Sequence, residues 1–174
     1  PEPAIYRLET ESTKPGVPRA RTLAPRVVTA WTFPSSRPAD GAKPEGYRCP
    51  VTDLDAGCAF QPLLQLDYQL ELDLLNRAPA GQAHQFQVGV APHSGTGLRL
   101  GPAFPQLELA YSTDGGASWT EATVQPDRDA GVFLVTVEHP PLADTDGYVW
   151  LRVNAWEWDG NRVEQTIERA YALH

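Results

Sequence analysis

The residues best suited to chemistry lie in one stretch near the C-terminus. GYVWLRVNAWEWDGNRVEQTIERAY, residues 147–171, reads as a long β-hairpin with its turn at Asp159-Gly160-Asn161, because Asp-Gly and Gly-Asn supply the positive φ angles of tight turns. Side chains alternate across a strand. One face of the first arm, Tyr148 to Trp158, should therefore be aliphatic, and the other should carry a possible binding face of Trp150, Arg152, Asn154, Trp156 and Trp158.

The tryptophans of this face have two interpretations. Flat aromatic side chains on a sheet surface suit stacking on sugar rings or holding a protein partner, since exposed apolar patches mark interaction sites. The alternative is that Trp31, Tyr6 or a neighbouring domain covers them.

A second motif is STDGGASW, residues 112–119, which fits the Asp-box pattern S-x-D-x-G-x-[ST]-W. We expect the Asp114 carboxylate to accept backbone N–H bonds, Gly116 to adopt a conformation closed to other residues, and Trp119 to pack on the hairpin. Sialidase propellers carry several similar repeats, and a propeller needs repeated blades. The single copy here predicts a structural clip, and the alternative is a sugar-related role.

Metal-binding and catalytic patterns are sparse. Asp144 and Asp146 beside Gly147 are weak calcium candidates, as oxygen-rich turns suit this ion, but the glutamate of an EF-hand loop is missing. The four histidines show no ligand spacing, and no Gly-x-Ser-x-Gly elbow occurs. We therefore predict no catalytic residue and no cofactor, with calcium left open.

The two cysteines, Cys49 and Cys58, enclose a short loop that Pro50 and Gly57 bend. This spacing favours a disulfide, which would stabilise by about 2–3 kcal/mol and imply export from the cell. The alternative is a pair of buried free thiols.

Composition limits the partners. The net charge of -8 argues against a nucleic-acid or anionic-membrane surface, which needs clustered Lys and Arg, and no apolar window approaches the length of a membrane span. An Arg-, Ala- and Pro-rich composition indicates a high-GC bacterial source. With Pro1 first and no methionine in 174 residues, we expect an excised or processed piece of a longer protein.

Alternating runs predict an all-β protein of about eight to ten strands, an antiparallel β-sandwich of the immunoglobulin or fibronectin III type. We expect one domain over 1–174, with N-terminal strands and the cysteine loop over about 1–80 and an Ig-like core over about 82–174. The N-terminal strands should extend one sheet. The clearest alternation, PLLQLDYQLELDLLN at 62–76, predicts a strand whose leucine face is covered by the sheet presenting Val149, Leu151 and Val153.

The hairpin and three other segments carry a family resemblance. LRVNAWEWDGNRVEQTIERAYAL, with VTAWTF, PLLQLDY and LELAYSTDGGASW in the same order, resembles the C-terminal region of large secreted subtilisin-like serine peptidases of actinobacteria. The tryptophans at 156 and 158 depart from the small and polar residues expected there. The family's signatures around its catalytic Asp, His and Ser are missing.

The resemblance implies a secreted, non-catalytic accessory domain that stabilises the parent peptidase or binds its substrate or cell-surface material. Its partners would be the parent catalytic domain and a protein or polysaccharide. One alternative is a carbohydrate-binding module that uses Trp150, Trp156 and Trp158. Another is a structural or adhesion Ig-like domain of an unrelated secreted protein.

Overall fold

Two antiparallel sheets make up the described part of the chain, residues 2–15, 23–43, 45, 57–92 and 104–174 of a computed structural model. The seven-stranded sheet contains β1 (Ala4–Thr13), β2 (Arg26–Ser35), β4 (Arg77–Ala78), β6 (Gln106–Ser112), β7 (Thr120–Glu121), β10 (Tyr148–Trp156) and β11 (Arg162–Leu173). The four-stranded sheet contains β3 (Leu64–Gln69), β5 (Ala83–Pro92), β8 (Thr123–Asp127) and β9 (Val132–Glu138). This arrangement confirms the predicted all-β sandwich.

The larger sheet is built around the predicted hairpin. Its strand order is β1-β2-β11-β10-β6-β7, and the short β4 runs parallel to the end of β11. The smaller sheet has the order β3-β5-β9-β8. In the hairpin, Trp156 faces Arg162 across the turn, and Gly160 has a φ of 92°. The turn prediction is therefore confirmed, with β10 ending at Trp156.

The core lies between the two sheets because alternate residues of facing strands are aliphatic. On β10 the inward residues are at most 1% exposed: Val149, Leu151, Val153 and Ala155. They belong to one cluster with Leu64 of β3, and Leu66, Tyr68, Leu70 and Leu72 pack against it. The predicted cover of the leucine-rich segment by the β10 sheet is thus confirmed for these residues.

The predicted strand over 62–76 is too long. The strand ends at Gln69, because Glu71 and Asn76 take positive φ angles of 50° and 57°. The Asp73 carboxylate then accepts hydrogen bonds from the Leu75 and Arg77 amides, at 2.8 and 2.9 Å, and closes a turn. Leu74 is consequently fully exposed. An aspartate that can bond to its own backbone overrides the alternating pattern here.

The chain changes sheets at Ala122, so that β7 pairs with β6 and β8 pairs with β9 in the other sheet. One further expectation on topology is wrong. The N-terminal strands do not extend one sheet only: β1, β2 and β4 join the larger sheet, and β3 joins the smaller one.

Cys49 lies outside the described residues, so its pairing with Cys58 stays a prediction. The immunoglobulin-type connectivity of the strands also stays a prediction. In the described part of the chain, no helix is long and apolar enough to cross a membrane.

Candidate binding face

The solvent side of the larger sheet, here called the outer face, carries the predicted binding residues. Trp150, Arg152, Asn154 and Trp156 alternate along β10 with the buried aliphatic row, and all four are partly or fully exposed. Strand β6 places Ala110 beside Arg152 and Glu108 beside Asn154, and β11 places Glu164 and Arg162 on the other side. The sheet register, which the sequence leaves undetermined, thus surrounds the predicted residues with charged neighbours.

Three shallow depressions of about 410, 410 and 450 Å³ cross the outer face, and Asn154 lines all of them. The first lies towards β7, with Glu121, Ala122 and Arg152 in its lining. The second lies towards β1, with Arg7 and Glu164. Arg152 borders the first two and Arg162 the last two, so the three depressions adjoin one another around Asn154.

The third depression has the most suitable chemistry for ligand recognition. Its lining combines an indole, two carboxylates, an amide and a guanidinium: Trp156, Glu108, Glu157, Asn154 and Arg162, with Gly160 at the turn. The Asn154 amide donates to Glu108 at 3.1 Å, whereas its carbonyl oxygen is buried and has no hydrogen-bond partner among the described residues. An aromatic ring beside several donors and acceptors can bind a ligand that has both apolar and hydroxyl surfaces.

Trp150 has a mainly structural role. A Cβ atom at Gly116 would lie 3.3 Å from the Trp150 ring, so this tryptophan packs directly on the Asp-box turn. The Trp150 indole nitrogen is buried and has no hydrogen-bond partner in the described part of the chain. Its contribution to a binding face is therefore smaller than its position on β10 predicts.

The Asp box forms the clip that its sequence predicts. Asp114 accepts hydrogen bonds from the hydroxyls of Ser112 and Ser118, both at 2.6 Å, and from the Ser118 amide at 3.0 Å. These bonds, the one from Ser112 above all, lower the pKa of Asp114 to about 2. Gly116 has a φ of 86°, and its carbonyl accepts the Trp119 indole N–H at 3.2 Å.

Trp119 connects the clip to the outer face. The Arg152 guanidinium lies 3.9 Å from the centre of the Trp119 ring, in the geometry of a cation–π contact. The Asp box thus supports both Trp150 and Arg152, which are two of the predicted binding residues.

The remaining tryptophans correct the sequence interpretation. Trp158 lies beyond the end of β10 and is 88% exposed, outside the three depressions. Trp31 does not cover the outer face, because its indole N–H donates inward to the Leu64 carbonyl at 2.6 Å. Tyr6 stacks on Phe33 at a centroid distance of 6.2 Å. The expectation that Trp31 or Tyr6 covers the tryptophans of the outer face is therefore wrong. The register of β1 and β2 directs these two side chains to the inner side of the sheet.

Charged side chains continue the outer face towards β1. Arg7 donates to Glu164 at 2.7 Å and to Glu9 at 2.8 Å. The hydrogen bond between Arg7 and Glu164 lowers the pKa of Glu164. Arg162 also pairs with Glu164, at 3.1 Å. The cations and carboxylates on this side are largely matched, which limits the attraction for a highly charged ligand.

Sequence spacing did not reveal a buried histidine pair. His84 and His139 stack at a centroid distance of 5.4 Å, although 55 positions separate them in the chain. The His139 Nδ1 atom lies 2.8 Å from the Pro79 carbonyl oxygen, so it must carry the proton and donate. Nε2 of a neutral His139 then accepts from the Tyr171 hydroxyl at 2.9 Å. His84 Nε2 lies 2.9 Å from the Leu70 carbonyl oxygen and donates to it.

Both nitrogens of His139 are therefore used in the core, and burial lowers its pKa, with His84 lowering it further. Burial also raises the pKa of Tyr171. These groups hold the end of β11 against the loops after β3 and β4. Their chemistry is structural, since each polar atom named here already has a protein partner.

The calcium candidates, Asp144 and Asp146, lie in the segment before β10. Asp146 accepts the Tyr148 amide at 3.0 Å, and Asp144 lies in a short 3₁₀ helix, Leu142–Asp144. Within the described ranges, no group of three or more His, Cys, Asp or Glu side chains is placed to hold a metal ion.

No protein-family model matches the chain, and no curated protein sequence matches it. The likeness to the C-terminal region of subtilisin-like peptidases therefore stays a prediction from the sequence.

Proposed function

We propose that this domain is a non-catalytic recognition module and that the outer face centred on Asn154 is its binding surface. The observation that carries the proposal is the continuity of three depressions over one sheet face, all bordered by Asn154. A β-sheet places such groups on a rigid support, because the opposite side of the same strand is fully packed.

The hydrogen bonds of the core histidines favour binding over catalysis. The two described histidines of the core donate to backbone carbonyls, and the partner of the second nitrogen of His139 is the Tyr171 hydroxyl. A nucleophile activated by a histidine base needs that base within hydrogen-bond reach. The hydrogen bonds of these two rings go to carbonyl oxygens and to a tyrosine hydroxyl, and not to a serine or cysteine.

The parent protein in this proposal is a secreted subtilisin-like serine peptidase, in which the domain stabilises the catalytic domain or holds substrate near it. The support is the resemblance of the hairpin and three other segments in matching order. Sequencing the parent gene tests this part: a peptidase domain encoded in the same reading frame would support it, and an unrelated neighbour would contradict it.

A second candidate function is carbohydrate binding, and the third depression favours it. Trp156 provides a flat apolar surface beside the Glu108 carboxylate, the Asn154 amide and the Arg162 guanidinium. Sugar rings present apolar C–H faces and hydroxyls that donate and accept, which is the same combination of properties. The balanced charges nearby favour a neutral polysaccharide over an acidic one.

Isothermal titration calorimetry against a panel of soluble neutral and acidic polysaccharides and denatured protein substrates tests the binding face. We expect saturable heat with at least one ligand class, and a Kd that Trp156→Ala weakens roughly tenfold or more through lost stacking. Trp158→Ala is the matched control, because it removes an indole from the same hairpin but outside the depressions.

Equal losses in both variants would contradict a site centred on Asn154, and absence of heat across the panel would remove the recognition proposal. The non-catalytic part has a separate test, in which the isolated domain is incubated with a fluorogenic peptide substrate. Cleavage sensitive to a serine-peptidase inhibitor would contradict it.

A further inference from the structure

Strand β1 forms a long open edge of the larger sheet. All ten of its residues are exposed, and in the described part of the chain it pairs with β2 alone, through ten consecutive residue pairs. Its open side therefore presents a row of backbone N–H and C=O groups that a further strand can pair with.

Several of the usual protections of an edge strand are missing from β1, although it carries charges at Arg7, Glu9 and Glu11. Natural edges are kept from pairing by short length, by charged side chains and Lys above all, by Pro on the edge, or by a bulge. The sequence AIYRLETEST contains neither Pro nor Lys, and its register with β2 is uninterrupted. Three of its apolar side chains are between 43% and 69% exposed: Ile5, Tyr6 and Leu8.

The two faces of β1 differ in chemistry. Tyr6 and Leu8 lie opposite Phe33 and Trp31, on the side where the Trp31 indole reaches the other sheet. Arg7 lies on the outer face, where it contacts Glu164, and Glu9 shares this face by alternation. Ile5 also lies on the outer face by alternation. A second strand added to the edge should therefore bring Tyr6 and Leu8 against apolar residues on the inner side and Arg7 and Glu9 against charges on the outer side.

Among antiparallel registers of two copies of β1 centred on residues 7, 8 or 9, charge favours one. A two-fold axis at Arg7 would place two arginines opposite each other, and an axis at Glu9 would place two glutamates opposite each other. Both arrangements are unfavourable. An axis at Leu8 instead pairs Arg7 of each copy with Glu9 of the other, and brings the two Leu8 side chains together on the inner side.

We propose that β1 is a homodimerisation edge, in which two copies of this chain join antiparallel about Leu8 and continue the larger sheet across both. The self-complementary order Arg7-Leu8-Glu9 on an open ten-residue edge carries this inference. Such an interface is isologous, as a two-fold symmetric dimer requires. Arg7 and Glu9 also line the second depression of the outer face, so the dimer would place the outer faces of the two copies side by side.

Sedimentation velocity of the full chain at about 100 μM, where an interface with a micromolar Kd would be filled, tests the oligomeric state. We expect a species of twice the 19.1 kDa chain mass. Glu9→Arg should raise the dimer Kd tenfold or more, because each added arginine then faces Arg7 of the other copy. The double variant R7E/E9R, made in a Glu164→Gln background because Arg7 contacts Glu164 at 2.7 Å, should restore dimerisation, since the charges opposed across the axis are only exchanged.

Leu8→Lys gives a second test that is independent of the ion pairs. Two lysines at the axis should abolish the dimer, whereas Leu142→Lys, at a site with 45% exposure against 43% for Leu8, should leave it unchanged. Circular dichroism and an unfolding curve for each variant check that the sheet is intact.

A wild-type chain that stays monomeric at this concentration would overturn the proposal. Dimers that survive Glu9→Arg and Leu8→Lys would show that another surface associates, and this also overturns it. A double variant as weak as Glu9→Arg would rule out the register about Leu8.

Discussion

The two sides of β10 follow different rules, although their residues alternate along one chain. The inward row is at most 1% exposed and consists of plain aliphatic side chains. The outward row holds large and polar side chains, two of which, Trp150 and Asn154, have a buried polar atom with no partner among the described residues. Packing alone explains the inner row. In the outer row Trp150 packs on the Asp-box turn, whereas Asn154 and Trp156 line the third depression, and exposed groups of this kind are where recognition is expected.

The largest expected effect is on the free energy of unfolding, which should fall much more for a substitution on the inner side of β10 than for one on its outer side. Leu151→Ala removes a fully buried side chain from the core and should lower the free energy of unfolding by about 2–5 kcal/mol. Arg152→Ala, the next residue on the opposite side, loses an exposed contact with Trp119 and should cost only about 0.5–1 kcal/mol. Urea unfolding measures both, and similar costs would contradict the division.

A smaller effect concerns the clip that supports the outer row. Gly116→Ala places a methyl group 3.3 Å from Trp150 at a φ of 86°, whereas Gly131→Ala, at a φ of 73°, meets nothing within 4 Å. The left-handed backbone alone costs about 1–2 kcal/mol in each, so the difference between them isolates the contact with Trp150. We expect a lower thermal midpoint for Gly116→Ala, and equal midpoints would show that this contact is unimportant.

The smallest effect is acid sensitivity from the inner side, where His139 is buried between His84, Tyr171 and the neighbouring Glu138. Burial holds the folded pKa of His139 below its ordinary value of 6.5. Between these two pKa values the unfolded chain binds a proton that the folded chain does not. The stability that His139 contributes is therefore present above about pH 6.5 and is lost as the pH falls from there towards the folded pKa.

Unfolding free energies at pH 7 and pH 5 measure this change. We expect a decrease in the wild type that is flattened in His139→Gln and retained in His174→Gln, which removes an exposed histidine as a control. An unchanged slope in His139→Gln would assign the acid sensitivity to another group.

Local patterns predicted a large part of this molecule. Three features depend only on residues a few positions apart in the chain: the hairpin turn at Gly160, the Asp-box clip at Asp114 and the alternation along β10. Steric rules for glycine and side-chain hydrogen bonding act at that range. Side-chain hydrogen bonding also explains the wrong prediction at Asp73. The alternating leucines predict a continuous strand there, but the Asp73 carboxylate closes a turn.

The candidate site was predictable only in part. Alternation placed Trp150, Arg152, Asn154 and Trp156 on one face, but it could not show that Trp150 packs on Gly116 or that Glu108 and Arg162 complete the third depression. Alternation also predicts Trp158 on this face, but the strand ends before it. These outcomes depend on strand register and on which strands are neighbours, which one strand's pattern does not encode.

Side-chain alternation and turn chemistry are local, so the class of fold, the central hairpin and the division of β10 into an aliphatic and a polar side could be predicted from the chain. Four features could not: the strand order, the stacking of His84 on His139, the inward direction of Trp31 and the open edge at β1. They arise from contacts between segments far apart in the chain, whose pairing is selected by the packing of the whole core.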